Sequence, residues 1–359
     1  MSAQKNGLGI LVLAGVVVVA ASASAVPRRP HAPDIRLIAQ QSGTSALLQD
    51  VSAVDSSTVW VGGNAATWAV TTDGGEQWRS AVMPRADSLE FRDVHAVDAR
   101  TAYLLSSGLG DRSRIYKTAD GGASWTLEFT AQNPKAFFDC FAFWDAEHGM
   151  AMSDAVDGHF LVITTKDGAR WAPVPAASLP PAQPNEGGFA ASGTCAMALP
   201  PSDGWIGTGN AARARLLRTG NRGATWDAVA TPLAADTSEG ITSLAVRDAR
   251  RIVALGGHIA RPAAHQDEVA ITDDGGRSWT LGGHLPFPGP VYGAAYSRST
   301  DDPWLVAVGP GGAAASNDDG RTWALIDSAA YWSVGFGSAR VGWAVGPHGR
   351  ITRIELPAR

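Results

Sequence analysis

The sequence predicts an all-β chain of repeated four-stranded units closed into a ring, on three observations. An eight-residue stretch, Thr71 to Trp78 (TTDGGEQW), returns five more times along the 359 residues. Between the copies the same order of short apolar segments recurs. At the two ends the count is uneven: Tyr331 to Leu356 holds three strands without a further copy, and Ile35 to Ile38 is a lone strand. Self-similarity at a period of 44 to 55 residues, with strand-like sequence between copies, is the mark of a β-propeller.

The later copies are TADGGASW (Thr118–Trp125), TTKDGARW (Thr164–Trp171), TGNRGATW (Thr219–Trp226), TDDGGRSW (Thr272–Trp279) and SNDDGRTW (Ser316–Trp323). Each reads as a tight turn between two strands. The acid at Asp73, Asp120, Asp274 and Asp318 is placed to accept backbone N–H groups, as Asx-turns do. Asn221 offers the same acceptor in the fourth copy. The third copy has Lys166 at that position with Asp167 beside it, which predicts a remodelled turn. The glycine three residues before each tryptophan supplies a left-handed backbone. Trp78, Trp125, Trp171, Trp226, Trp279 and Trp323 open the next strand, each expected to fold over the turn with its N–H bonded.

Each unit begins with an apolar strand, as at Asp50 to Asp55 and Asp93 to Asp98, with counterparts from Cys140, Cys195, Ser243, Gly293 and Ser333. A second strand ends in glycine, a third enters the turn and a fourth leaves it. The N-terminal strand then serves as the outer strand of the last unit. The result is seven blades, with both termini in blade seven and no unpaired edge. In this topology the repeated turns share a face with the first-to-second connections. The long connections between blades fall on the opposite face, where binding sites usually sit. The turns themselves are scaffolding.

Composition narrows the classes. A net charge of −5 and 18% charged residues give no basis for a nucleic-acid partner. Residues 1–25 read as an export leader: Lys5, an apolar run from Leu8 to Ala21, then Ala23-Ser24-Ala25. The alternative is an uncleaved anchor over Gly7 to Val26, which would be the chain's one contact with a membrane. Residues 26–34 are a linker and 35–359 the propeller, read as an exported, periplasmic or secreted monomer.

Lys135 to Cys195 holds more than the repeat requires. Its connection from Ala172 to Gly193 is Pro-rich and long, the kind that is usually functional or disordered. Asp139, Asp154, Asp157, Glu186, Ser192, Thr194 and Arg213 are the polar groups that could converge there, with Tyr292 and Trp332 (beside Tyr331) at the channel mouth. Two readings stand. One is a carboxylate-lined pocket in which Asp139, Asp154, Asp157 or Glu186 performs glycoside hydrolysis. In the other, Asp154 and Asp157 cap a tight loop and Glu186 pairs with an arginine. Cys140 and Cys195 share a repeat position on adjacent inner strands, so they form either a disulfide or two buried thiols. His258 and His265 read as loop residues. No metal site or cofactor is expected; Gly207-Thr208-Gly209 lacks the helix that would bind a pyrophosphate.

The pattern S/T-x-D-x-G-x-x-W, in six copies, resembles the Asp-box or BNR repeat. With the leader and the FFD, AFWD and FAASGTC segments, the chain resembles an exported bacterial subgroup of the photosystem II stability/assembly factor-like propellers. That resemblance implies a non-enzymatic propeller binding a partner protein, which in photosynthetic members is a photosystem II subunit. Asp-boxes also occur in sialidases and xyloglucan-cleaving glycosidases, so a glycan-active enzyme is the alternative. The Arg-Ile-Pro segment of sialidases is absent; Phe91-Arg92-Asp93-Val94 comes nearest and lacks the proline.

Overall fold

A computed structural model describes residues 1–2, 34–86, 88–263 and 268–357. The leader, its Ala23-Ser24-Ala25 motif, most of the linker and His265 therefore lie outside the described residues. From Asp34 onward the chain forms seven four-stranded antiparallel sheets. In blade one the strands are Leu48–Ala53, Val59–Gly63, Thr67–Thr71 and Arg79–Val82, paired in chain order. Every residue of the second and third strands is buried, whereas the outer strand is largely exposed. Strands covered on both faces need continuous apolar runs, which is why these segments do not alternate.

The covering comes from the neighbouring blades. Seven apolar clusters are present, one at each blade-to-blade contact. Trp60, Trp68, Phe91, Leu104 and Tyr116 join blades one and two. Val51, Val61, Trp343 and Ile351 join blades one and seven. Each fully buried large side chain contributes about 1.5–3 kcal/mol, so the interfaces rather than the single sheets hold the ring together.

Blade seven closes as the strand count predicts. The strand Arg36–Gln41 pairs antiparallel with Arg350–Glu355, from Arg36 opposite Glu355 to Gln41 opposite Arg350. Gln40 secures the seam: its Oε1 accepts the indole N–H of both Trp78 and Trp343 at 3.1 Å, and its Nε2 donates to the Gly74 carbonyl at 2.9 Å.

The repeated turn has one geometry in five copies. In the first, Thr71 Oγ1 donates to Asp73 Oδ1 at 2.7 Å and accepts Gly75 N–H at 3.0 Å. Asp73 Oδ1 then accepts Gln77 N–H at 3.0 Å. Asn221 does the same work in blade four, accepting Thr225 N–H at 2.9 Å. The Gly74 N–H bonds Ser57 O at 2.9 Å, which places the turn beside its own blade's first-to-second connection.

Blade three is remodelled, by a shift of one residue. There Thr165, not Thr164, faces Asp167, whose Oδ1 accepts Ala169 and Arg170 N–H at 3.0 and 2.8 Å. The turn is one residue tighter because acid and hydroxyl have moved toward the tryptophan together. The tryptophans correct a second expectation, since three of the six ring N–H groups have a hydrogen-bond partner. Trp226 and Trp323 bond the carbonyls of Gly223 and Gly320, and Trp78 bonds Gln40. Trp125, Trp171 and Trp279 have no acceptor among the described residues. Trp125 packs edge-on against Trp60 and Trp68, and Trp171 against Phe143, so ring packing rather than a turn carbonyl orients those two.

Candidate functional site

The inner strands line a central channel, and four of them carry a bulge at the same height. Register shifts fall between Leu48 and Asp50, Phe91 and Asp93, Phe138 and Cys140, and Ile241 and Ser243. A bulge adds one residue and re-aims its neighbours. Asp50, Asp93, Cys140 and Ser243 thus follow equivalent insertions, and together with Cys195 and Ser333 they tie blade to blade. Ser333 Oγ donates to Asp50 Oδ1 at 2.6 Å, and Asp50 Oδ2 accepts Val94 N–H at 3.0 Å. Asp93 Oδ2 accepts Phe141 N–H at 2.7 Å. Cys140 and Cys195 are disulfide-bonded, their Cα atoms 6.1 Å apart. Thr194 Oγ1 and Ser243 Oγ lie 2.8 Å apart.

The stretch Glu186 to Cys195 crosses one end of this channel and stoppers it. Gly188 N–H donates to Asp154 Oδ1 at 3.1 Å, and Arg92 Nη1 donates to Ala190 O at 3.1 Å. Ser192 Oγ reaches the Tyr292 carbonyl of blade six at 2.6 Å. Glycine is required where the stopper meets the acids. A Cβ on Gly187 would stand 1.8 Å from Asp154 Oδ1, and one on Gly193 would stand 2.1 Å from Asp93 Oδ1. Gly209 exchanges hydrogen bonds with Gly187 at 2.9 and 3.2 Å, so the Gly207-Thr208-Gly209 stretch serves backbone packing.

The candidate carboxylates are placed as follows. Asp139 lies within the inner strand Phe138–Phe143 at its bulge, not before it, and is 2% exposed. Asp154 lies within the strand Gly149–Val156 rather than in the loop after it, and sits beside Asp139 beneath the stopper. Asp157 takes a left-handed backbone in the turn that follows and pairs with Lys135 Nζ at 2.8 Å in the open. Glu186 is fully buried. Its Oε1 accepts Arg215 Nε at 2.8 Å and Thr208 Oγ1 at 2.7 Å, and its Oε2 accepts Gln183 N–H at 2.8 Å and Arg215 Nη2. Arg213 is exposed and contributes its carbonyl to Gln183 Nε2 at 2.9 Å. Tyr292 and Trp332 pack half-buried at a tilt, with ring centres 4.7 Å apart. Tyr331 is core, its hydroxyl bonded to Asp327 Oδ2 at 2.7 Å. His258, expected in a loop, ends the buried strand Ile252–His258, where its Nδ1 accepts Ala260 N–H at 3.2 Å. Among the described residues no group of three or more His, Cys, Asp or Glu side chains is placed to hold a metal ion.

Two carboxyl pairs therefore bracket the stopper. Asp50–Asp93 was legible in the sequence as the position shared with Cys140 and Cys195, but the expected site did not include it. Burial pushes Asp154 and Asp50 up to about 6. It raises Asp139 and Asp93 well above the usual range, with the charge of the partner acid adding to it. A raised carboxyl means that the folded state holds more protons than the unfolded chain. These groups therefore lend stability at mild acid that is lost as pH climbs through about 6 and beyond. The turn acids oppose this on the acid side. Hydrogen bonds to Ser124 lower Asp120 to about 2, so its contribution is lost as pH falls below the usual carboxyl range. The thermal midpoint is expected to peak between roughly pH 4 and 6. Asp154→Asn should flatten the decline above that peak; an unchanged slope would remove the pair from the account.

Beneath the stopper the channel widens into a hollow of about 360 Å³. Asp50, Asp93 and Thr194 line it at the stopper, and His95, Tyr296 and Arg298 line it toward the mouth. His95 stacks on Phe143 at 4.5 Å, and burial, followed by the Arg298 charge, brings it down to about 4, so it is neutral. Arg298 lies in the first-to-second connection of blade six, which puts the mouth on the face of the repeated turns. The candidate acids were expected to line a pocket on the opposite face. There Asp139, Asp154 and Glu186 are covered.

The molecule is a seven-bladed propeller stoppered on one face and hollow on the other. Solved structures share its fold. YCF48 bound to D1 peptide is similar at 18% identity and a TM-score of 0.62, over 93% of this chain and 100% of that one. YCF48 from Cyanidioschyzon merolae is similar at 15% identity and a TM-score of 0.62, over 89% of this chain and 98% of that one. The GH74 enzyme of Niastella koreensis gives 13% identity and a TM-score of 0.56, over 88% of this chain and 44% of that longer one. No protein-family model matches the sequence, and no curated protein does.

Proposed function

We propose that this chain is an exported, non-enzymatic propeller of the Asp-box, photosystem II assembly factor-like kind that binds a partner protein. The observation that carries the reading is the condition of its acids. Hydrolysis of a glycoside needs two carboxyl groups about 5 to 9.5 Å apart, facing a bond between them in an open pocket. Asp139 and Asp154 are covered by Gly188 and Gly187, Glu186 is held by Arg215, and Asp157 stands with Lys135. None of the four presents a free carboxylate to a sugar. The likeness to YCF48 bound to D1 peptide supports a protein ligand. The Cys140–Cys195 bond suits an oxidising compartment and with it the leader at 1–25. The GH74 likeness is one of fold, which does not carry an activity.

The test sets wild type and Asp154→Asn against a panel of soluble glycans, with cross-linking in intact cells alongside. The expected result is no release of reducing ends by either protein, and one specific protein cross-linked, lost on Tyr292→Ala with Trp332→Ala. Turnover by the wild type that disappears in Asp154→Asn would replace this reading with the glycan-active one.

A further inference from the structure

The hollow on the face of the repeated turns has a distribution of charge that the fold does not account for. Its inner end is polar but spent: Asp50 takes two hydrogen bonds and Asp93 one, and burial, with the Asp50 charge adding to it, raises Asp93 well above the usual range. Thr194 is held by Ser243 and Ser192. The walls are small or apolar, among them Ala96, Phe143 and Phe336. At the rim, Arg298 donates to the carbonyls of Val54 and Ala53 at 2.6 Å. Those two contacts leave part of its five-donor fork unused, and no carboxylate among the described residues lies within ion-pair distance of it. His95, next along the wall, makes ring contacts with Phe143 and Tyr103 and no hydrogen bond to another described residue.

We infer that this hollow is a binding site for a small organic carboxylate, the carboxylate held by Arg298 at the rim and the apolar body lying against Ala96, Phe143 and Phe336. The geometry selects against the other classes. A cation would meet the Arg298 guanidinium at the rim, and Asp55, whose charge acts on Arg298 from outside the lining, stands beyond ion-pair distance of it. A wholly apolar ligand would leave the guanidinium, His95 and the backbone edges of the inner strands without exchange for their water. An anion with an apolar body satisfies both ends, and a planar fork suits a carboxylate best. The volume of about 360 Å³ lies in the range of small-molecule sites and holds on the order of a dozen heavy atoms. The same chemistry comes in two forms, a free acid or the C-terminus of an extended peptide.

Calorimetric titration of the whole exported chain separates them. The probes are 4-phenylbutyrate, its primary amide, and tetra-alanine with a free or an amidated C-terminus. Phenylbutyrate is expected to bind at least tenfold tighter than its amide. Arg298→Gln, which removes the charge and the planar fork, should weaken the acid at least tenfold while cooperative unfolding is retained. Tetra-alanine binding tighter than phenylbutyrate, and only with a free terminus, would support the same site and assign it to a peptide end. Equal affinity for acid and amide, undiminished binding by Arg298→Gln, or no heat from any carboxylate up to roughly 1 mM would overturn the inference. Should Arg298→Gln fail to fold, the acid-against-amide comparison on the wild type decides alone.

Discussion

Replacing Cys140 and Cys195 together by alanine should lower the stability of the folded chain by about 4 kcal/mol, the chain-entropy value for a cross-link closing 55 residues. Both side chains are fully buried, so alanine leaves a small void and no unpaired hydroxyl. The loss should be local before it is global. The bond fastens the stopper to the inner strand of blade three, and without it the amides from Gly187 to Thr194 lose their main restraint. Hydrogen exchange in that stretch should accelerate well before the urea midpoint is reached, while the sheets of blades one, six and seven stay protected. A double variant within about 1 kcal/mol of wild type would mean that the hydrogen bonds of the stopper suffice without the cross-link.

Glu186→Ala is expected to cost about 3–5 kcal/mol, because it leaves the guanidinium of Arg215 in a largely buried site without its counter-charge. Thr208 Oγ1 and the Gln183 N–H lose an acceptor in the same step. The companion variant Glu186→Leu with Arg215→Met should recover much of the loss, since a buried ion pair replaced by apolar groups of similar volume is often neutral or stabilising. Urea unfolding measures both. If Glu186 served a ligand instead, Glu186→Ala would keep its midpoint and lose only binding, and that outcome would reverse its assignment as an internal clamp.

How much of this was legible depends on whether a feature repeats. Blade count, ring closure and the face of each turn follow from six tryptophans in register, three strands without a turn copy at the C-terminal end and a lone strand at the N-terminal end. Those are periodic facts, and period is what a single sequence displays. The relation of Cys140 to Cys195 was visible for the same reason, and Asp50 with Asp93 stood at that very position. What hid the acid pair is the bulge: one inserted residue at Gln49 and at Arg92 turns an apparently ordinary strand start into a contact between blades. The path of Glu186 to Cys195 has no counterpart in other blades, and its bond from Ser192 to Tyr292 joins residues one hundred apart. No local pattern encodes such a crossing. The open side of the channel follows from that crossing, so the expected pocket was sought on the face that the stopper covers.

The pairing of Arg36–Gln41 with Arg350–Glu355 also sets a timetable for folding. A chain that leaves the ribosome or a membrane pore from its N-terminus exposes that first strand long before its partner exists. Blades one to six can form in order, each packing on the face of the last, but Gln40 waits for Trp343, some three hundred residues later. Until then the first strand is an unpaired edge, a liability in any crowded compartment. Joining such distant partners is slow, since the contact rewards the chain only after the longest loop in the molecule has closed. Once made, the join works as a latch: the ring has no end from which to unravel, and opening it requires that the strand formed first be withdrawn first.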